Sequence, residues 1–208
     1  MKSILVIHSS ATGQGAVSRL LVEEAVLRMR AAHPEATVVR RDLGVAPVPH
    51  LTTTTLAGVR GEPATPAERR TRALSDTLIG ELRAADMLVI GAPMYNFSIP
   101  TGLRAWFDYV LRAGETFRYG ASGPKGLVNG KRAIVIEARG GAYSEAPAQA
   151  FDFQEPYLRH LLGFMGIKDV VFVRAEGIGS GPDARAAAIA KARAQIDALA
   201  MPVLGRAA

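Results

Sequence analysis

Three short stretches of this chain hold the residue types from which a polar ligand site is built. The first, "HSSATGQGAVS" (8–18), places Ser9, Ser10, Thr12, Gly13, Gly15 and Ser18 directly ahead of a segment with helical spacing. Hydroxyls and free backbone N–H groups at the positive end of a helix are what a phosphate requires. The same residues also suffice for ordinary helix capping, so the loop by itself admits both readings. It matches neither G-x-x-x-x-G-K-[ST] nor G-x-G-x-x-G, which leaves nucleotide hydrolysis and the usual dinucleotide fingerprint without support. The second, "APMYNFSIP" (92–100), crowds Met94, Tyr95, Asn96 and Phe97 between two prolines. Asn96 can donate and accept beside apolar walls, which suits a flat, partly polar ring. A loop that plugs the core with aromatics would look the same. The third, "ARGGAYSEAPAQ" (138–149), contains Gly140-Gly141. Backbone there can approach a ligand closely and offer N–H groups to a negatively polarised edge, although a plain turn uses the same pair.

Other chemistries find little footing. There is no Cys, so thiolate catalysis and disulfides are excluded. His8, His33, His50 and His160 are scattered, and no metal-ligand spacing joins them. Ser98 lacks the G-x-S-x-G setting of a hydrolase nucleophile. His8 adjoins the first loop, where a charged imidazole would assist a phosphate and a neutral one would serve as a structural hydrogen-bonding group.

Those loops need elements to position them. Five apolar runs rich in Val and Ile, "SILVIH" (3–8), "TVVRRD" (37–42), "MLVIGA" (87–92), "RAIVIEA" (132–138) and "DVVFVRA" (169–175), read as strands of a parallel sheet. Helical spacing separates them. Val17, Leu20, Leu21, Ala25, Val26 and Met29 are expected on one helix face. Thr65, Pro66 and Glu68 spell a capping box with Pro at the first helical position. Further helices are expected over 99–114, 154–166 and 182–200. Strand alternating with helix predicts an α/β doubly wound fold, a five-stranded parallel sheet of order 2-1-3-4-5 with helices on both faces, as one domain over 1–208. In that order the strand sequence reverses between the first and third strands, and ligands bind outside the carboxyl ends there. The loops after strands one, three and four are the three stretches already singled out. Residues 43–64 and 114–131 carry no clear pattern and are expected to be irregular.

The 208 residues carry a net charge of +6, with 49% hydrophobic and 21% charged residues. The basic residues are dispersed beside acids, and no nucleic-acid-binding motif accompanies them, so no nucleic-acid partner is expected. The apolar run at the start is too short for a secretory signal, and no stretch approaches a membrane span. A cytoplasmic protein without a membrane partner is expected.

A phosphate loop, a ring-flanking loop and a Gly-lined edge together describe a mononucleotide with a tricyclic base, FMN. The chain resembles the FMN-dependent NADH azoreductases, also described as NADH:quinone oxidoreductases, which are flavodoxin-like. The resemblance covers nearly the whole chain and is most specific in "APMYNFSIPTGLRAWFDYVLRAGETFRYGASGPKGLVNGKRAIVI", "ARGGAY", "PYLRHLLGFMGI" and "AEGIGSGP". It implies that Ser10, Ala16, Val17 and Ser18 hold the FMN phosphate. Met94, Tyr95, Asn96 and Phe97 would run along the isoalloxazine. Ala138, Arg139, Gly140 and Gly141 would bracket its pyrimidine side, with the Gly140 and Gly141 amides stabilising charge at N1. It further implies two-step hydride transfer from NADH, or alternatively NADPH, to a quinone or azo acceptor, with no side chain as obligate acid or base, in a homodimer with FMN near the interface. Phe117 and Tyr119 in the 114–131 stretch, and Phe164 from a neighbouring subunit, are then candidates for a hydrophobic lid over substrate; simple packing also accounts for them. Two departures stand out: Ala16-Val17-Ser18 replaces the family's common S-x-S, and Ala138 replaces a Ser. Weaker FMN retention is expected from both. The other reading is a flavodoxin-like electron carrier or a flavin-binding regulatory module; carriers are usually acidic, unlike this chain.

Overall fold

The computed structural model describes residues 1–200. The five apolar runs form β1 (Ser3–His8), β2 (Thr37–Asp42), β3 (Met87–Pro93), β6 (Arg132–Arg139) and β7 (Asp169–Glu176). All pair in parallel, in the order β2-β1-β3-β6-β7, which is the expected 2-1-3-4-5 with the sheet's strands counted alone. The register runs Ile7, Ile90, Val135, Phe172 across the central strands. Successive side chains alternate between faces, and both faces are buried. Leu5, Ile7, Leu88, Ile90, Ala133 and Val135 join one apolar cluster, beneath α3 (Pro66–Ala84), α4 (Thr101–Val110) and α5 (Glu155–Met165). Ile4, Val6, Val89, Ile134, Ile136 and Val173 join the other, beneath α1 (Val17–Ala32) and α6 (Pro182–Ala200).

The helix signals act as their chemistry dictates. Glu68 N–H donates to Thr65 Oγ1 at 3.2 Å, and Thr65 N–H donates back to Glu68 Oε2 at 2.8 Å, so the capping box ahead of α3 is complete. Gly166 ends α5 with φ 103°, a left-handed conformation that suits Gly.

Three expectations need correction. Leu20 is 41% exposed and Val22 takes its place in the core, because the buried stripe of α1 runs through 17, 18, 21, 22, 25 and 26. The 114–131 stretch is not wholly irregular: β4 (Phe117–Gly120) and β5 (Gly123–Gly126) form a separate antiparallel hairpin. Its strands are short and their Gly and Pro content hides them from a pattern search, and Pro124 is tolerated because the ribbon is only two strands wide. The 43–64 stretch likewise contains a single helical turn, α2 (Ala57–Arg60).

Candidate functional site

β1 and β3 lie side by side, yet the chain leaves them in opposite directions. After β1 it feeds α1 on one face of the sheet; after β3 it feeds α4 on the other. The diverging loops leave a cleft of about 280 Å³, bordered by Ser10, Thr12, Ser18, Met94, Tyr95 and Gly140 among others.

The β1 loop is bound tightly. Ser9 Oγ donates to Gly91 O at 2.7 Å, which ties it to β3. Ser10 is buried and its Oγ lies 2.9 Å from Thr12 Oγ1. Gly44 makes room for the next connection, since a Cβ there would stand 2.1 Å from Ser10 O. A turn of 3-10 helix over Gly13–Gly15 then leads to Ala16, which caps α1 without any side-chain bond. The first N–H groups of α1 thus have no capping side chain, and Ser18, 2% exposed, sits among them. His8 takes no part in the cleft lining. Its Nε2 meets Glu23 Oε1 at 2.8 Å, and burial holds its pKa below the ordinary value despite that contact, so the imidazole is structural and neutral at pH 7.

The β3 loop folds back on itself. Tyr95 N–H donates to Ser98 O at 2.9 Å and Ser98 N–H to Tyr95 O at 3.1 Å, with Asn96 and Phe97 between them at φ 47° and 70°. Two successive positive φ values are the mark of a two-residue I′ turn, which Asn accepts and Phe accepts only under strain. Met94 and Tyr95 therefore border the cleft, whereas Asn96 and Phe97 form the tip of the turn. Phe97 is 48% exposed and meets Tyr143 edge-on at 6.0 Å. The Tyr95 hydroxyl accepts from Ala11 N–H at 3.0 Å and lies 3.2 Å from Ser10 Oγ, so it latches the two loops together.

The β6 loop is aimed by its carbonyls. Arg139 O accepts from Ile178 N–H at 3.1 Å, Gly140 O from Gly179 N–H at 3.0 Å and Gly141 O from Gly177 N–H at 3.0 Å. In a trans peptide the N–H points opposite to the carbonyl. The Gly140 and Gly141 N–H groups therefore face away from β7, toward the β3 side, where Met94 N–H reaches Ala138 O at 2.9 Å.

Beneath this loop lies an ion network. Strand alternation sends Ala138 to the cleft and Arg139 to the opposite face, where its guanidinium is fully buried. Arg139 Nε donates to Gln154 Oε1 at 3.0 Å, Nη1 to Glu176 Oε1 at 3.1 Å, and Nη2 to Glu137 Oε2 at 2.6 Å, with Asp152 Oδ2 at 3.0 Å. Gln154 Nε2 passes the connection to Ala92 O on β3 at 2.8 Å. Glu176 accepts from Tyr143 N–H at 2.8 Å and from Ser144. Burial acts to raise the Glu176 pKa, but these bonds outweigh it and hold the group below its ordinary value. Arg174 joins from β7, with Nε 2.7 Å from Glu155 Oε2 and 3.9 Å from Glu137 Oε2, so two guanidiniums face Glu137, Asp152, Glu155 and Glu176. Glu137, with Oε1 unpartnered among the described residues, is pushed up to about 8 by burial, against the pull of Arg139.

The cleft thus gathers Ser10, Ala16, Val17, Ser18, Met94, Tyr95, Ala138 and Gly140. Asn96, Phe97, Arg139 and Gly141 lie outside that lining. Phe117, Tyr119 and Phe164 gather with one another instead: Phe117 lies 4.7 Å from Phe164 and 5.5 Å from Tyr119 between ring centroids. α5 runs antiparallel to the strands, and Phe164 is in its last turn, about 14 Å along the axis from Glu155. The trio therefore stands toward the far end of the sheet from this chain's own cleft. Sequence reasoning missed Gln154 and the Glu137–Glu176 network, although a Glu inside the buried run "AIVIEA" was a signal. Thr12, named with the hydroxyls of the first loop, does line the cleft, whereas Arg185 was missed. An Arg on an Ala-rich helix carries no signal of its own.

A family model described as flavodoxin-like fold matches residues 2–200. The chain is 62% identical over 196 residues to the FMN-dependent NADH:quinone oxidoreductase of Hyphomonas neptunium, covering 94% of each chain. It is 50% identical over 198 residues to the protein of the same name from Azotobacter vinelandii, covering 94% of this chain and 98% of that one. Among solved structures, an azoreductase from Bacillus anthracis superposes with a TM-score of 0.87 at 31% identity, covering 96% of this chain and 99% of that one. An FMN-dependent NADH-azoreductase from Bacillus anthracis in complex with FMN gives 0.85 at 25% identity, covering 97% and 100%.

Proposed function

This chain belongs to the flavodoxin-like fold family, and from that premise we propose that it is an FMN-dependent oxidoreductase that takes hydride from NADH and reduces quinones or azo compounds. The observation that carries the proposal is the cleft at the sheet's switch point, whose residues suit FMN. Hydroxyls of Ser10, Thr12 and Ser18 converge with the N–H groups at the start of α1, a donor set for phosphate in a lining without a carboxylate. The relatives bearing the quinone oxidoreductase name, at 62% and 50% identity, support the same assignment.

FMN bound there would supply the hydride chemistry, so the protein has only to bind, orient and polarise. Ser10, Ser18 and the backbone of Ala16 and Val17 would hold the phosphate. Met94 and Tyr95 would wall the ring. The Gly140 and Gly141 N–H groups, fixed by the carbonyl bonds to residues 177–179, would meet its negatively polarised edge without reorganising. The Gln154–Arg139–Glu176 strap would keep the β3 and β6 loops in register. The backbone roles of Asn96, Phe97 and Arg139 belong to the same proposal.

The proposal extends to two half-reactions in turn at one face and to a cytoplasmic homodimer acting as one FMN-binding unit per chain. No described helix is long and apolar enough to cross a membrane. Tyr119, 74% exposed and distant from its own cleft, supports a second copy supplying the lid with Phe117 and Phe164. Steady-state oxidation of NADH and NADPH by purified protein with added FMN, against a panel of quinones and azo dyes, tests the reading. No turnover with any of them would sink it and leave an electron carrier. Sedimentation at working concentration tests the dimer.

A further inference from the structure

The cleft lining contains one charged side chain among the described residues, Arg185, and nothing in the loop chemistry foretold it. From its position we propose that Arg185 is a binding residue for the cofactor's phosphate, supplying the positive charge that the β1 loop lacks. The inference rests on the FMN reading of the cleft and goes beyond it, to which residue sets phosphate affinity in this chain.

The β1 loop offers dipoles but no cation. Ser10 Oγ is engaged with Thr12, Ala16 contributes no side chain to capping, and the nearest base, Arg19, is committed elsewhere. Arg19 Nε donates to Gly13 O at 3.2 Å, and its Nη2 pairs with Asp42. A dianionic phosphate beside hydroxyls and helix N–H groups gains most from a guanidinium, which can donate to two oxygens at once.

Arg185 is placed for this by an anchored connection. The β7–α6 loop is bolted to the Gly140 loop by the three bonds from Gly177, Ile178 and Gly179. Gly179 eases that close approach, since a Cβ would stand 3.1 Å from Gly140 O. Gly181 then turns with φ 109°, and Arg185 N–H closes the first turn of α6 on Gly181 O at 3.0 Å. A basic residue in the first turn opposes its own helix dipole, where Asp183 is the favoured type. Among the described residues no carboxylate pairs with Arg185 to offset that cost. An anion in the cleft would.

The test compares two ligands that differ only in the phosphate. Apo-protein, wild type and Arg185→Ala, is titrated with FMN and with riboflavin, followed by quenching of flavin fluorescence. Arg185→Ala is expected to weaken FMN roughly five- to tenfold, a surface-exposed charge-assisted contact, and to leave riboflavin unchanged. Arg185→Lys should fall between, and added salt should narrow the difference. Equal shifts for both ligands, or none, would overturn the proposal. So would an unmoved FMN affinity with a raised KM for NADPH alone, which would put the guanidinium on the donor's phosphate. A wild type that does not prefer FMN to riboflavin would sink the cofactor reading itself. Circular dichroism of both variants controls for folding.

Discussion

Replacing Glu137 by Gln removes a titrating carboxyl from the centre of the sheet while keeping its shape. Glu137 is fully buried, and its pKa is pushed from 4.5 to about 8. A carboxyl raised on folding binds its proton more tightly in the native state. Its contribution is therefore fully present below the unfolded value and is lost as pH rises through the folded one, with a slope approaching ~1.4 kcal/mol per pH unit in between. The window from pH 6.5 to 8 isolates it. His8 is lowered below 6.5 on folding, and the slope its unfolded imidazole adds just above that pH is common to both proteins and cancels in their difference. Glu23, Glu24, Glu68, Asp86 and Glu176 are all lowered and act only in the acid range. Across that window the wild type should lose roughly 2 kcal/mol at most that Glu137→Gln keeps. For a chain of this size that is a melting-temperature difference growing by about 4 to 8 °C from pH 6.5 to 8. Thermal melts of both proteins at closely spaced pH values measure it. The offset between the curves carries no weight, because the Gln amide faces the same unpartnered space as Oε1. Parallel curves would show that Glu137 is already ionised at pH 6.5 and refute the reasoning.

Three further outcomes are expected. Ser18→Ala should raise the FMN dissociation constant roughly tenfold through the loss of one hydroxyl at the start of α1, with kcat of the FMN-saturated enzyme nearly unchanged; flavin fluorescence and steady-state rates read the two separately. Thr65→Ala should cost about 1 kcal/mol by opening the capping box, a fall of roughly 2 to 4 °C in Tm, with FMN affinity unmoved. Phe97→Gly relieves the positive φ, so Tm should hold or rise in thermal melts; a lower Tm would mean the ring's contacts with Tyr143 and Phe151 outweigh the strain.

Much of this was legible because parallel strands announce themselves. All five sheet strands read as Val- and Ile-rich runs whose ends differ from the structure by a residue at most, and Thr65-Pro66-Glu68 fixed a helix start through chemistry local to three residues. The reversal of strand order between β1 and β3 then places the cleft without any side-chain contact. What escaped depended on partners far apart in sequence. Arg139 stands between two cleft-lining residues, Ala138 and Gly140; only strand alternation and the arrival of Gln154 and Glu176 show that its guanidinium faces the other way. Asn96 and Phe97 looked like ring-facing residues, and the I′ turn that moves them to the tip is set by backbone dihedrals. Arg185 enters the cleft only because three bonds hold its loop against Gly140.

The assignment of function rests on whether the cleft binds FMN that accepts hydride from NADH and yields it to an acceptor. Protein reconstituted with FMN and freed of excess should be mixed with NADH without oxygen, then with a quinone, while flavin absorbance is followed. Bleaching by NADH and full recovery on addition of the quinone are expected, each within the time of a turnover. Protein that retains no FMN, or bound FMN that NADH leaves oxidised, would contradict the assignment.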